Sequence, residues 1–219
     1  MLRWLGNALH SSVGRKLVMG LTGLLLVGFL FVHLAGNMKL MPGFGDPDGH
    51  KFDSYVAFLK SFKGFLILAE VGLAALFLCH IYLAMRLSLE NLHARKQRYE
   101  VRSDRGAKTF GSASMFFTGA LLFLYLIKHM LDFRFNAEFD AAPAQVVIAT
   151  ITSPLGAVIY VGGALLVGVH LSHGIQSAFQ SLGLSHPRWT PLIRIGGRAV
   201  AALLALGFAA VPLYFLLMR

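Results

Sequence analysis

The chain has 219 residues, 56% of them hydrophobic and 14% charged, where a soluble domain carries about 25% charged residues; too little polar surface remains to coat a water-soluble globule. One compact domain over 1–219 suits the length, and the single cysteine, Cys79, excludes an internal disulfide and a cysteine-held metal cluster. The formal charge of +10 raises nucleic acid as a partner, but its distribution reads as membrane topology and no nucleic acid is expected.

Five apolar runs follow in chain order. The first, 17–34, contains no Asp, Glu, Lys or Arg, and the second, 64–85, is interrupted only by Glu70. The third, 111–127, ends at Lys128 and His129. The fourth, 155–175, lacks a permanently charged residue, and the fifth, 199–218, is equally clean, with Pro212 as an expected kink. Each is about the length a helix needs to cross ~30 Å of hydrocarbon. Runs of this length satisfy their backbone as helices rather than as barrel strands. The expectation is an all-α integral membrane protein with helices over about 13–36, 62–88, 110–132, 153–180 and 194–218. No small-residue cleavage site follows the first run, so it is read as a retained helix rather than a signal peptide. Glycines within the runs suit close helix packing or leave room for a flat cofactor.

With five crossings, the N-terminal segment and the second and fourth loops share one side. They carry Arg3, Arg15, Lys16, Arg86, Arg95, Lys96, Arg98, Arg102, Arg105, Lys108, Arg188, Arg194 and Arg198, which is 13 of the 20 basic residues. The opposite side carries most of the acids, including Asp46, Asp48, Asp53, Asp132, Glu138 and Asp140. The positive-inside rule then expects a cytoplasmic N-terminus and an external C-terminus. The stretch 86–108 is more basic than orientation requires and suits an acidic soluble partner.

Of nine histidines, His33, His80, His129, His170 and His173 lie within or at the ends of the apolar runs. Ionisable groups at that depth are costly and usually functional; interhelical hydrogen bonding is the plainer alternative. Their depths pair. His33 lies eighteen residues beyond Arg15, and His129 eighteen beyond Gly111, so both sit near the outer surface. His80 and His170 lie sixteen residues into runs of the opposite direction and approach the inner surface. At 1.5 Å per residue the two levels differ by roughly 20 Å. Two pairs at two matched depths are what two bis-histidine b haems require, one imidazole from each of two helices. In the fourth run, His170 and His173 nearly share a face, and depth alone does not separate them.

Several stretches then carry a resemblance. They are Ser11-Ser12-Val13-Gly14-Arg15-Lys16, His33-Leu34-Ala35-Gly36-Asn37, His80-Ile81-Tyr82-Leu83-Ala84 with Glu90-Asn91, and, most specific, the run from His170 through His173-Gly174 to Phe179. The sequence resembles the cytochrome b membrane anchor of succinate:quinone oxidoreductases (succinate dehydrogenase and fumarate reductase) in the single-chain, five-helix, dihaem form. The resemblance implies two haems b, the distal one on His33 and His129 and the proximal one on His80 and His170. It puts the fourth ligand four residues before a glycine, which leaves His173 as an alternate. It implies flavoprotein and iron–sulfur partner subunits, a menaquinone or ubiquinone substrate, and a bacterial inner membrane. The chain would be the quinone-reactive electron-transfer subunit, with succinate handled elsewhere.

Haem propionates need cations near each interface. Arg15, Lys16 and Arg86 on the inner side and Lys128 and Lys39 on the outer side are candidates, although snorkelling helix-end anchors read the same way. A quinone site needs a protonatable group, for which Glu70 and Asp53 are the candidates. Two other readings compete: the haem b subunit of a hydrogenase or formate dehydrogenase, and a histidine-dependent proton-coupled transporter without haem.

Overall fold

The computed structural model describes residues 11–93 and 110–218. Arg3, Arg95, Lys96, Arg98, Arg102, Arg105 and Lys108 lie outside the described residues. The described residues form seven α-helices and no strand. Five are long and apolar enough to cross a membrane: α1 (Ser12–Asn37), α3 (Lys63–His93), α4 (Phe110–His129), α6 (Pro154–Ser181) and α7 (Thr190–Met218). This is the architecture of a multi-pass membrane protein, and each helix overlaps its expected span; α3 continues five residues further, α4 ends three residues earlier at His129, and α7 begins four earlier.

Two shorter helices, α2 (His50–Ser61) and α5 (Pro143–Thr152), fill loops for which no helix was expected. Both depend on local capping. The Asp46 carboxylate accepts from the amides of His50 and Lys51 at 2.9 and 2.8 Å, and Gly49 turns the chain at φ 91°. Pro143 opens α5 at a position where no amide is needed. Asp53, on α2, reaches across to accept from the Ala144 amide at 2.8 Å. The two short helices are thus capped together over one end of the bundle, called here the covered end.

The long helices begin in the same manner. Ser11 accepts from the Gly14 amide at 3.0 Å to start α1, and Ser153 accepts from Gly156 at 3.1 Å to start α6, with Pro154 in the first turn. After His129, α4 changes to a π-helical turn over Met130–Arg134. α7 continues through Pro212, whose ring leaves the carbonyl of Phe208 without its helical donor.

α6 packs on α7 through Gly168 against Ala205 and Gly197 against Ile175. α1 meets α6 where Gly20 lies against Ala178 and Ser181, and meets α7 where Leu34 lies against Gly207. Small residues allow these close approaches. A buried cluster at the covered end joins Leu40, Phe52, Val147, Ile151, Tyr160 and Phe215. By contrast α3 presents Phe65, Leu68, Val71 and Leu78 outward, the apolar surface expected against lipid.

Candidate functional site

The histidines fall at two levels, and each level joins two helices. At the level farther from the covered end, His80 projects from α3 and His170 from α6. The Thr22 hydroxyl of α1 meets His80 Nδ1 at 3.2 Å, and the Thr118 hydroxyl of α4 meets His170 Nδ1 at 3.0 Å. Each hydroxyl already donates its proton to a carbonyl of its own helix. For Thr22 this is Met19, at 3.0 Å; for Thr118 it is Ser114 at 3.0 Å or Met115 at 3.2 Å. With the hydroxyl proton on that carbonyl, each oxygen accepts from Nδ1–H, the tautomer that leaves the Nε2 lone pair for a ligand. The next residue in each helix is glycine. A Cβ on Gly23 would lie 3.3 Å from His80 Cε1, and one on Gly119 would lie 3.5 Å from His170 Cε1. The rings lie over bare backbone.

The two constellations are copies of one sequence pattern. Thr22-Gly23 precedes His33 by eleven residues, and Thr118-Gly119 precedes His129 by eleven residues. α1 and α4 each carry a threonine for the neighbouring helix's histidine and then, three turns later, a histidine of their own. Those three turns span about 16 Å at 1.5 Å per residue. The pattern is legible in the sequence as Thr-Gly, nine intervening residues, then His. It is missed when histidines alone are tracked.

At the covered end, His33 and His129 meet edge to face, with ring centroids 5.7 Å apart and planes at 87°. Aromatic rings surround them. Phe29 stacks on His33 at 5.4 Å, Phe208 lies 5.7 Å from it, and Phe133 and Tyr125 lie 5.1 and 6.0 Å from His129. Nδ1 of His129 is fully buried with no hydrogen-bond partner. The pair opens onto a cavity of about 690 Å³ whose wall includes His33, His129, Tyr125, Phe133 and Tyr160 and whose rim carries Lys60, Lys63, Glu70, Arg134 and Asp140. That volume lies within the ordinary range of ligand sites, roughly 300–1,000 Å³.

The remaining candidates divide. Glu70 lines this cavity and forms a two-pronged ion pair with Arg134, with both contacts at 3.0 Å. Asp53 is committed to the Ala144 amide, while its neighbours Phe52 and Tyr55 line the wall. Lys128 pairs with Asp132. The carbonyl of Lys39 accepts from the Asp46 amide at 3.1 Å, and its side chain is not part of the cavity wall. At the other end, Arg15 and Arg86 both reach Glu90, at 2.9 and 3.6 Å, and Lys16 is exposed. The rim cations Lys60, Lys63 and Arg134 were not anticipated, because only the fold of α2 and the π turn brings them to one opening.

Comparison with protein-family models, curated proteins and solved structures finds no match. The site is thus read from its own chemistry. Among the described residues no three His, Cys, Asp or Glu side chains converge as a cluster-bound metal would need. What is present is pairs of imidazoles, at each level on two different helices. At the level farther from the covered end both rings have a threonine oxygen at Nδ1; at the covered end a cavity lies beside the pair. Such a donor set would suit a metallocofactor held by a pair of imidazoles, His80 with His170 or His33 with His129.

Proposed function

We propose that the chain is a dihaem cytochrome b membrane anchor, passing electrons between a soluble iron–sulfur subunit and a membrane quinone. The observation that supports it most is the duplicated Thr-Gly…His pattern, with a threonine orienting one imidazole of the inner pair from each side. Proton-carrying histidines need no fixed tautomer, and a transporter has no evident use for two glycine-backed rings presenting bare nitrogen lone pairs.

In this reading His80 and His170 hold the inner haem, and His33 and His129 the outer one. The haems supply reversible one-electron chemistry; the protein binds, orients and insulates them. Aromatic walls keep water from the outer pair, and α2 and α5 close that end. Rim cations Lys60, Lys63 and Arg134 balance negative charge at the cavity mouth. Glu70 is the rim carboxylate positioned to hold a proton there for a quinone that takes up electrons and protons together. The basic stretch 86–108 docks the soluble subunits, which handle succinate or fumarate. The N-terminus faces the cytoplasm of a bacterial cell, as the basic residues suggest.

The test is haem quantitation with a reduced-minus-oxidised spectrum on the full chain, purified with and without co-expressed soluble partners. Two low-spin b haems per chain are expected. A chain that carries no haem in either preparation overturns the reading and favours proton-coupled transport.

A further inference from the structure

Thr22 and Thr118 are not needed to complete their own helices. A threonine hydroxyl inside a helix satisfies itself by bonding back to a carbonyl three or four residues earlier, and both hydroxyls do so. What each adds is its oxygen lone pair, and that lone pair meets Nδ1 of a histidine on the adjacent helix, at 3.2 and 3.0 Å. While the hydroxyl proton is held by the helix, the oxygen accepts from Nδ1–H and favours one tautomer and one orientation of the imidazole, with a glycine beneath its Cε1. The arrangement occurs twice, at the same offset from the outer-level histidine. It is confined to the inner level: Nδ1 of His129 has no partner.

We propose that Thr22 and Thr118 are positioning residues that set the electronic character of the inner pair. Each would orient the ligating imidazole and increase electron density at its Nε2 by accepting the Nδ1 proton. The inference rests on the dihaem reading and goes beyond it by naming two residues, neither a ligand, that distinguish the inner site from the outer. The physical basis is general. A hydrogen bond from the distal nitrogen of a ligating histidine fixes its tautomer and raises its basicity, and a more basic ligand favours the more oxidised metal. Removing the acceptor is expected to make the inner haem easier to reduce and leave the outer one unchanged. His170 rather than His173 is the ligand on this argument, since Thr118 meets His170.

The experiment is potentiometric titration of the full chain carrying Thr22→Val, Thr118→Val or both, with Thr22→Ser and Thr118→Ser as hydroxyl-retaining controls. Valine keeps the branched shape and removes the acceptor. In each valine variant the inner haem's reduction equilibrium is expected to shift toward the reduced form by up to about tenfold, or about 59 mV for a one-electron couple. The shifts should combine in the double variant, while the serine variants titrate like the parent. Selective loss of the inner haem from the valine variants, with the outer haem and both serine variants intact, also supports the proposal. Valine variants that keep both haems at parental potentials overturn it, as do equal shifts of both haems or equal damage from serine and valine. If the parent chain itself binds no haem, the dihaem reading falls and this inference falls with it. A dihaem parent with unmoved variants sinks this inference alone.

Discussion

Tyr160 donates its phenolic proton to the Asp132 carboxylate across 2.7 Å, tying the second turn of α6 to the π turn that follows His129. Lys128 reaches the same carboxylate from the preceding turn. The wider π turn rotates Asp132 toward α6, and π segments of this kind recur at functional sites. Tyr160→Phe removes a hydrogen bond to a charged acceptor, a change of about 1.5–3 kcal/mol. Lower thermal stability of the purified chain is expected, together with a perturbed outer-level spectrum and an unchanged inner one. A variant as stable as the parent would mean that Lys128 alone satisfies Asp132.

The histidines should separate by level. Replacing His33 or His129 with alanine is expected to abolish one spectral component, and replacing His80 or His170 the other. His173→Ala should retain both. Loss of the inner component in His173→Ala but not in His170→Ala would reverse the assignment within α6.

Glu70 and Asp53 were equal candidates in the sequence, but the structure gives them different surroundings. Asp53→Ala removes a cap from α5, and losses of this kind cost typically about 1 kcal/mol; faster amide exchange in Pro143–Thr152 is expected. Glu70→Gln weakens an exposed pair with Arg134, and such pairs contribute roughly 0–1 kcal/mol, so stability should scarcely change. If Glu70 holds a proton for quinone, its variant should slow quinol-coupled turnover tenfold or more with both haems retained. Normal turnover in Glu70→Gln would exclude that role.

A methyl group beneath the ring of His80 or His170 is a finer probe. Gly23→Ala brings a carbon to 3.3 Å from His80 Cε1, tighter than ordinary contact, whereas Gly119→Ala reaches 3.5 Å from His170. The first is expected to weaken retention of the inner haem more than the second, read as haem per chain after detergent washing. The reverse order would mean that α3 yields more easily than α6.

Acid should loosen the covered end. The Asp46 carboxyl is held below its ordinary value of 3.8, chiefly by the Lys51 amide and also by those of His50 and Gly49. Asp140 is held down by its hydrogen bond and ion pair with Lys60. A depressed folded pKa means that the stabilisation is fully present above about 3.8 and is lost as pH falls through the lower folded value. The protection factors of the His50–Ser61 amides, with intrinsic exchange divided out, should therefore fall below pH 3.8 and stay level above it. Protection that persists through that window would show that packing of Phe52, not capping by Asp46, holds α2.

The long helices were legible because seventeen or more apolar residues in succession have few other fates. Depth along them also ordered His33, His80, His129 and His170 into two levels, since helical rise is constant. α2 and α5 escaped notice: they are only twelve and ten residues long, and the cap on α5 comes from Asp53, 91 positions away in sequence. The rim cations were hidden for the same reason. The Thr-Gly pattern was readable all along. It went unread because threonine and glycine within apolar runs ordinarily mean packing.

The duplication of that pattern divides the first four spanning helices into two hairpins, α1 with α3 and α4 with α6. Each hairpin supplies one histidine to each level, so neither can complete a pair by itself. A group ligated at either level is therefore a cross-link between halves, formed only after both hairpins have entered the bilayer. Cofactor capture would then reinforce the direct packing of α1 on α6 and α7, and a chain interrupted between residues 93 and 110 should still assemble.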